Sequence, residues 1–222
     1  MNKINQAELH NIDCMAYMAT LPDKAFDLAI VDPPYGINFG EFNRTNRTST
    51  GKTVKANKYK NSEWDNSIPN DNYFIELQRV SKNQIVWGGN YFPYLWHNGC
   101  KGFIFWYKGN PVPNFSDGEL AWTSFNKVAK QFDFKYYGNL EGNTSASNKI
   151  HPTQKPIKLY EWLLTNYAEQ GQKILDTHLG SGSIAIACNN LGFDLVGCEL
   201  DQDYYKAACD RINQATAQTR MF

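Results

Sequence analysis

Long apolar runs are missing from this 222-residue chain, and none approaches the roughly 20 residues that span a bilayer as a helix. The segment Met1 to His10 is polar and has no apolar centre of the kind a signal peptide carries. A soluble, cytoplasmic protein with no membrane partner is the expectation. Cysteine is sparse and scattered: Cys14, Cys100, Cys188, Cys198 and Cys209 form no C-x-x-C pair. That spacing argues against zinc or a redox dithiol, so no metal site is expected and the thiols are read as free. Net charge is absent too. The 22 basic residues balance 22 acidic ones, so no global field draws the chain to a polyanion. No internal repeat is visible.

What is present is an ordinary composition with an aromatic surplus. Hydrophobic residues make up 42% and charged residues 20%, as in one globular domain spanning residues 1–222. Aromatics at 14% leave room for a base-stacking surface, although packed aromatics are the commoner cause of such a surplus. One local positive patch stands out: Arg44, Arg47, Lys52, Lys55, Lys58 and Lys60, with no acid between them. It lies in a stretch rich in Asn, Thr, Ser and Lys, and residues 41–62 read as a basic mobile loop within the domain. Such a loop either clamps phosphates or stays solvated without a partner.

Around this loop, strand-like and helix-like patterns alternate. Ala25 to Val31 (AFDLAIV) is a short apolar run ending at Asp32, the pattern of a buried parallel strand. Asn72 to Val80 reads as a helix capped by Asp71, and Gln84 to Trp87 as a strand stopped by Gly88-Gly89. FIFWYK, ELAWTSF and FDFKYY follow as β-rich pieces separated by turn residues. Lys158 to Ala168 is helical, and Lys173 to Leu175 is a strand reaching Asp176. A Gly-rich turn then leads into a helix from Ile184 to Leu191, a strand Leu195 to Cys198 ending at Glu199, and a last helix from about Gln202 to Ile212. Alternation of this kind predicts an α/β fold with a doubly wound, mostly parallel sheet. Ligands bind such sheets at the carboxyl ends of strands, and Asp32, Asp176 and Glu199 all stand where a strand is predicted to stop.

Three motifs carry chemistry. In Val31-Asp32-Pro33-Pro34-Tyr35-Gly36, two prolines cannot continue a strand ladder and fix a rigid turn. The turn holds a carboxylate, the Pro33 carbonyl and an aromatic face in fixed relation, so Asp32 and Pro33 can accept the two hydrogens of an amine while Tyr35 stacks on its ring. A plain Asp-Pro turn with a packed Tyr is the alternative. In Asp176-Thr177-His178-Leu179-Gly180-Ser181-Gly182-Ser183, glycines after a strand let backbone N–H groups approach a ligand ahead of a helix. Glu199 at the next strand end is placed to grip ribose hydroxyls. Gly180-x-Gly182-x-x-Ala185 also fits a dinucleotide fingerprint, so these residues alone leave NAD open. The third motif, His151-Pro152-Thr153-Gln154-Lys155-Pro156, is a stiff helix-entry segment with a cation, to which physics alone assigns no function.

Together, VDPPYG, HPTQKP and LDTHLGSGS with CELD resemble the amino-group DNA methyltransferases, over nearly the whole chain from Leu9 to about Tyr205. The order, catalytic turn first and Gly-rich turn last, is similar to the circularly permuted β group. The resemblance implies a Rossmann-like fold of the S-adenosylmethionine-dependent methyltransferase type. It implies Asp32, Pro33, Pro34 and Tyr35 as the catalytic set, holding the target amine of a flipped base. It places Asp176, Gly180 and Gly182 around the methionine part of S-adenosylmethionine, Glu199 on the ribose and Asp13 on the adenine. His178, Ser181 and Ser183 fall in the same cofactor stretch, and Lys155 lies toward the methionine end. The family commonly shows Pro-Phe where this chain has Thr177-His178.

The implied reaction is direct in-line methyl transfer to adenine N6 in DNA, with the base extruded from the duplex and no covalent enzyme intermediate. Residues 108–150 are the candidate target-recognition region. Cytosine N4 and RNA adenine share this chemistry, and Asp before Pro-Pro-Tyr leans the resemblance toward adenine. An NAD-linked oxidoreductase or a non-catalytic nucleic-acid-binding subunit are readings of a different class. A homodimer and a restriction enzyme partner, as in restriction-modification systems, are further expectations.

Overall fold

The computed structural model describes residues 2–37, 46–47, 53–54, 65–109, 116–135 and 149–218, with backbone only at 46–47, 53–54 and 218. Its strands are β1 (Asn2–Ile4), β2 (Ala7–Asn11), β3 (Phe26–Val31), β4 (Asn46–Arg47), β5 (Thr53–Val54), β6 (Ser81–Trp87), β7 (Phe103–Tyr107), β8 (Gly118–Thr123), β9 (Lys130–Asp133), β10 (Lys173–Asp176) and β11 (Asp194–Glu199). Its helices are α1 (Cys14–Met18), α2 (Asp71–Val80), α3 (Ile157–Tyr167), α4 (Ser183–Leu191) and α5 (Gln202–Gln218). Apart from the β4–β5 pairing, the strands form one sheet in the order β1-β2-β11-β10-β3-β6-β8-β7-β9.

The apolar run after Ala25 shows why the sheet lies in the middle. Leu28 and Ile30 join one core with Ile85, Trp87 and Ile174, closed by Leu159 and Leu163 of α3, Ile184 of α4 and Ile212 of α5. Ala29 and Val31 point the opposite way, into a second core with Val86, Leu175 and Val196, closed by Met18 of α1 and by Phe74 and Leu77 of α2. Period-two alternation thus feeds two apolar faces, and helices cover both. Each fully buried Leu or Phe in these cores contributes about 1.5–3 kcal/mol.

Strands β2, β11, β10, β3 and β6 run parallel, so their carboxyl ends share one edge. The doubly wound α/β sheet is therefore as predicted. β8 runs antiparallel to β6, with Trp87 opposite Ala121, so the start of β8 projects past the end of β6 at that same edge.

Several boundaries differ from the sequence reading. Asn70, not Asp71, caps α2, its side chain accepting the Tyr73 N–H at 3.3 Å, while Asp71 adds a negative charge in the first turn. The helix runs straight into β6, which starts at Ser81, three residues before Gln84, because the Ser81 backbone N–H and hydroxyl both satisfy the Leu77 carbonyl. The polar N-terminus supplies β1 and β2, and β2 buries only Ala7 and Leu9 while pairing with β11 from Ala7 to Asn11. α5 continues to Gln218, with Thr216 buried. Within the β-rich stretch 108–150, β8 and β9 belong to the main sheet; residues 110–115 and 136–148 lie outside the described residues.

Candidate active site

Asp32 follows the end of β3, and the prolines take the chain out of the ladder to a bend at Gly36–Ile37. Two partners then hold the turn. Asp65, only 2% exposed, accepts the backbone N–H groups of Tyr35 (2.7 Å) and Gly36 (2.9 Å) on a single oxygen. The Tyr35 hydroxyl donates to Asp32 Oδ1 at 2.5 Å, and Lys155 Nζ pairs with Asp32 Oδ2. Lys155 also donates to the Tyr35 hydroxyl at 3.2 Å. The Tyr35 ring stacks on Tyr91 (centroids 5.0 Å, planes 16° apart) and meets the edge of Phe92. An expected base-stacking ring is thus already in contact with protein on one face.

Lys155 lies in the stretch expected to meet the cofactor, yet its ammonium turns to the Asp32 carboxylate. Only its backbone carbonyl meets the Gly-rich turn, accepting from Ser183 Oγ at 2.7 Å. The ammonium is also 3.1 Å from Glu119 Oε2, and Glu119 Oε1 pairs with Lys108. Burial raises the Asp32 carboxyl, with Lys155 pulling against it. Burial also works against charge on Lys155, but the two carboxylates prevail and hold it above its ordinary value. Glu119 would likewise be raised by burial, yet Lys155 and Lys108 hold it at about 2.

The neighbouring strand delivers the second half of the site. β10 pairs with β3 in parallel, Leu175 opposite Ala29, so Asp176 and Asp32 end adjacent strands. Asp176 accepts the His178 N–H at 3.0 Å, and burial, reinforced by Asp32 and Glu199, lifts its carboxyl to about 8. His178 Nδ1 shares a hydrogen bond with Thr177 Oγ1 (2.9 Å), which in turn meets the Tyr73 hydroxyl (2.7 Å), and burial depresses the imidazole to about 4. The Gly180 N–H donates to Glu199 Oε2 and the Asp201 N–H to Oε1, each at 2.9 Å, which aims the carboxylate along the edge of the sheet. Ser181 and Ser183 share a hydrogen bond at 3.1 Å, and Arg211 of α5 donates to the Ser181 carbonyl at 2.6 Å. Asp13 follows β2 and caps α1 by accepting the Ala16 N–H at 2.9 Å. Asn11 lies opposite Glu199 in the sheet, which brings Asp13 and Glu199 to neighbouring strand ends.

The two glycines of the turn differ in purpose. Gly180 has φ +52°, and a Cβ there would meet the His151 ring only at an ordinary contact of 3.7 Å, so its backbone conformation and not packing favours glycine. Gly182 has φ +71°, and a Cβ would come within 2.7 Å of Ile212 Cδ1. Left-handed backbone and close packing against α5 both favour glycine at 182.

Of the sequence-derived positions, the structure gathers Asp32, Tyr35 and Lys155 at the end of β3, and Asp13, Asp176, Gly180 and Glu199 along the adjoining strand ends. Arg44, Lys52, Lys55, Lys58 and Lys60 lie outside the described residues, and of Arg47 only the backbone is described, paired within β4–β5. Asp65, Glu119, Tyr73 and Arg211 were not singled out from the sequence. Each is an isolated polar residue whose role arises only from tertiary contact, and no local motif marks it.

Comparison with known proteins agrees with this geometry. Residues 52–210 match the family model described as DNA methylase, of the N6/N4 methyltransferases. The type II methyltransferase M2.DpnII of Streptococcus pneumoniae is 25% identical over 248 residues, covering 94% of this chain and 90% of that protein. Among solved structures, the crystal structure of the M1.HpyAVI–SAM complex has a TM-score of 0.59 at 20% identity, over 93% of this chain and 100% of that one. The PvuII DNA methyltransferase (cytosine-N4-specific) also has a TM-score of 0.59, at 13% identity, over 96% of this chain and 92% of that one. With more than half of its length matched by the family model, the chain belongs to the DNA methylase family of amino-group (N6-adenine or N4-cytosine) methyltransferases.

Proposed function

We propose that this DNA amino-methyltransferase acts on adenine N6, with the target base extruded from duplex DNA. The observation that carries this reading is the placement of the Asp32 turn beside the Asp176–Glu199 edge, on adjacent parallel strands. The donor set fits S-adenosylmethionine. Glu199 offers a carboxylate suited to ribose hydroxyls, buried Asp176 suits an ammonium, and Asp13 stands at the next strand end. When bound, S-adenosylmethionine supplies a methyl group on a sulfonium.

The residues of this chain act on the amine. Its lone pair is delocalised into the base, and hydrogen bonds from its two N–H groups to Asp32 and the Pro33 carbonyl favour a more tetrahedral nitrogen. Positioning by the rigid turn supplies much of the rest of the acceleration. Asp32 holds the amine and receives its proton after transfer, so it need not be a strong base. A base within a duplex cannot reach this recessed turn, which supports extrusion. Asp rather than Ser before Pro-Pro-Tyr supports adenine. The order along the chain, β3 with its turn before β10 with its glycines, supports the circularly permuted β group. The basic stretch Arg44 to Lys60 follows the catalytic turn directly in sequence and is suited to phosphate contacts, making binding steeply salt-dependent.

Incubation with methyl-labelled S-adenosylmethionine and unmethylated DNA, followed by nucleoside identification, tests the reading. N6-methyladenine is expected. N4-methylcytosine would overturn the base assignment, and label in RNA alone the substrate assignment. Asp32→Ala should abolish transfer while cofactor binding persists.

A further inference from the structure

Both oxygens of Asp32 are occupied in the protein alone, Oδ1 by the Tyr35 hydroxyl and Oδ2 by the Lys155 ammonium. Each carboxylate oxygen can accept a second hydrogen bond, but an amine that donates to Oδ2 has to share that oxygen with the ammonium. A neutral N–H competes poorly with a full positive charge, and an ammonium driven off a buried carboxylate without another partner costs several kcal/mol. A second partner is at hand. Glu119 Oε2 is buried, 3.1 Å from Lys155 Nζ, and makes no hydrogen bond of good geometry among the described residues. Its position follows from topology: β8 is antiparallel to β6 and begins beyond the end of that strand, which carries Glu119 to the carboxyl edge where Asp32 stands. Lys108, at the end of β7, holds the other Glu119 oxygen and fixes the carboxylate in place.

We propose that Lys155 and Glu119 are positioning residues for Asp32, with Lys155 resting on Asp32 Oδ2 until the target amine arrives and then transferring its hydrogen bond to Glu119 Oε2. This rests on the reading of Asp32 as the acceptor of the amine. The ammonium is a compact charge with three donors on a flexible stem, so it exchanges one carboxylate for the other by a small swing. One charged hydrogen bond is lost and another made, and the charge of the cluster does not change. Glu119 therefore lets substrate take the oxygen that Lys155 keeps oriented. The other titratable groups facing this cluster include Tyr35, Tyr73 of α2, Tyr160 of α3, Asp176 of β10, His151, and Lys108 with Lys149.

Single-turnover methyl transfer, followed from about pH 5 to about pH 9, tests the exchange in the full-length protein. Glu119→Gln leaves Lys155 wholly on Asp32, so the acid limb of the profile should move to lower pH. Its plateau rate should fall about tenfold, the worth of roughly 1.4 kcal/mol, with little change in KM for DNA. Lys155→Met strips Asp32 of its counter-charge, so the limb should move to higher pH. The double variant removes the buried pair together and should lie between the two, which also keeps the test alive if Lys155→Met alone fails to fold. Equal losses at every pH in Glu119→Gln, with its acid limb unmoved from wild type, would make the cluster merely structural and overturn the proposal. Methyl transfer retained by Asp32→Ala would instead sink the reading of Asp32 itself.

Discussion

Replacing Gly88 by alanine should disable the catalytic turn from a position that touches no substrate. Gly88 follows β6 at φ +69°, and a Cβ built there would lie 2.2 Å from Tyr35 Cε1 and 2.5 Å from Cδ1. The backbone cannot retreat, because the Gly88 N–H donates to the Leu120 carbonyl at 2.9 Å and the Gly88 carbonyl accepts from Tyr91 at 2.8 Å. The ring must move instead, by about 1.3 Å to reach an ordinary carbon contact near 3.5 Å. A shift of that size breaks the 2.5 Å hydrogen bond from Tyr35 to Asp32 and the stacking on Tyr91. Misplacement by about 1 Å in a positioned site costs on the order of 10²-fold in rate, so kcat should fall by about that factor. Left-handed backbone adds about 1–2 kcal/mol of strain, lowering Tm by about 2–8 °C in a domain of this size. Cofactor affinity, set at the ends of β10 and β11, should hold. Gly171→Ala supplies the control, since Gly171 has φ +85° and nothing within 4 Å of a built Cβ. It should share the stability loss and keep kcat. A Gly88→Ala enzyme as active as Gly171→Ala would refute the contact between Gly88 and the Tyr35 ring as a catalytic constraint.

Other perturbations separate the parts of the site. Asp65→Ala removes the acceptor of two backbone N–H groups in the catalytic turn, and should cost about 1–3 kcal/mol by denaturant melting with a loss in kcat larger than any change in cofactor affinity. Gly182→Ala should weaken cofactor binding, measured by calorimetry, by forcing α5 away from the turn, and Gly182→Ala with Ile212→Ala should recover part of it because the 2.7 Å clash is with Ile212. Asp176 is raised to about 8, so from the ordinary carboxyl range up to that pH the folded chain keeps a proton that the unfolded chain has released. Its contribution to stability is therefore lost as pH rises through that window, and the difference in Tm between wild type and Asp176→Asn should grow more negative up to about pH 8, then level off. A flat difference would argue that Asp176 is ionised throughout.

Much of the fold was legible because burial on both faces leaves an unmistakable trace. AFDLAIV has to be a central strand, as Leu28 and Ile30 feed one core and Ala29 and Val31 the other. The N-terminal strands left no such trace. β2 contributes only Ala7 and Leu9 to the interior, and its pairing with β11 depends on residues nearly two hundred positions away. The cap of α2 was missed by one residue because Asn70 and Asp71 are both good capping side chains, and only the geometry of the Tyr73 N–H decides between them.

The site divides along the same line. Asp32, Asp176 and Glu199 are visible in sequence because each is the first polar residue after an apolar run, and parallel pairing then guarantees that they share an edge. That guarantee holds whatever the order of the strands along the chain, which is why a catalytic turn early in the sequence and a glycine turn late in it still meet. Glu119 has no such signature. It opens the β-rich piece ELAWTSF and reaches the edge from the start of an antiparallel strand, and nothing local marks which strand end it will face. Lys155 was visible only as part of a stiff hexapeptide, and its partner decides what it can do: beside Glu199 it would meet a cofactor, whereas beside Asp32 it is placed to act on the proposed acceptor of the amine. β8 contributes to that choice, since the strand that breaks the parallel pattern of the sheet is the one that brings Glu119 to the Lys155–Asp32 pair.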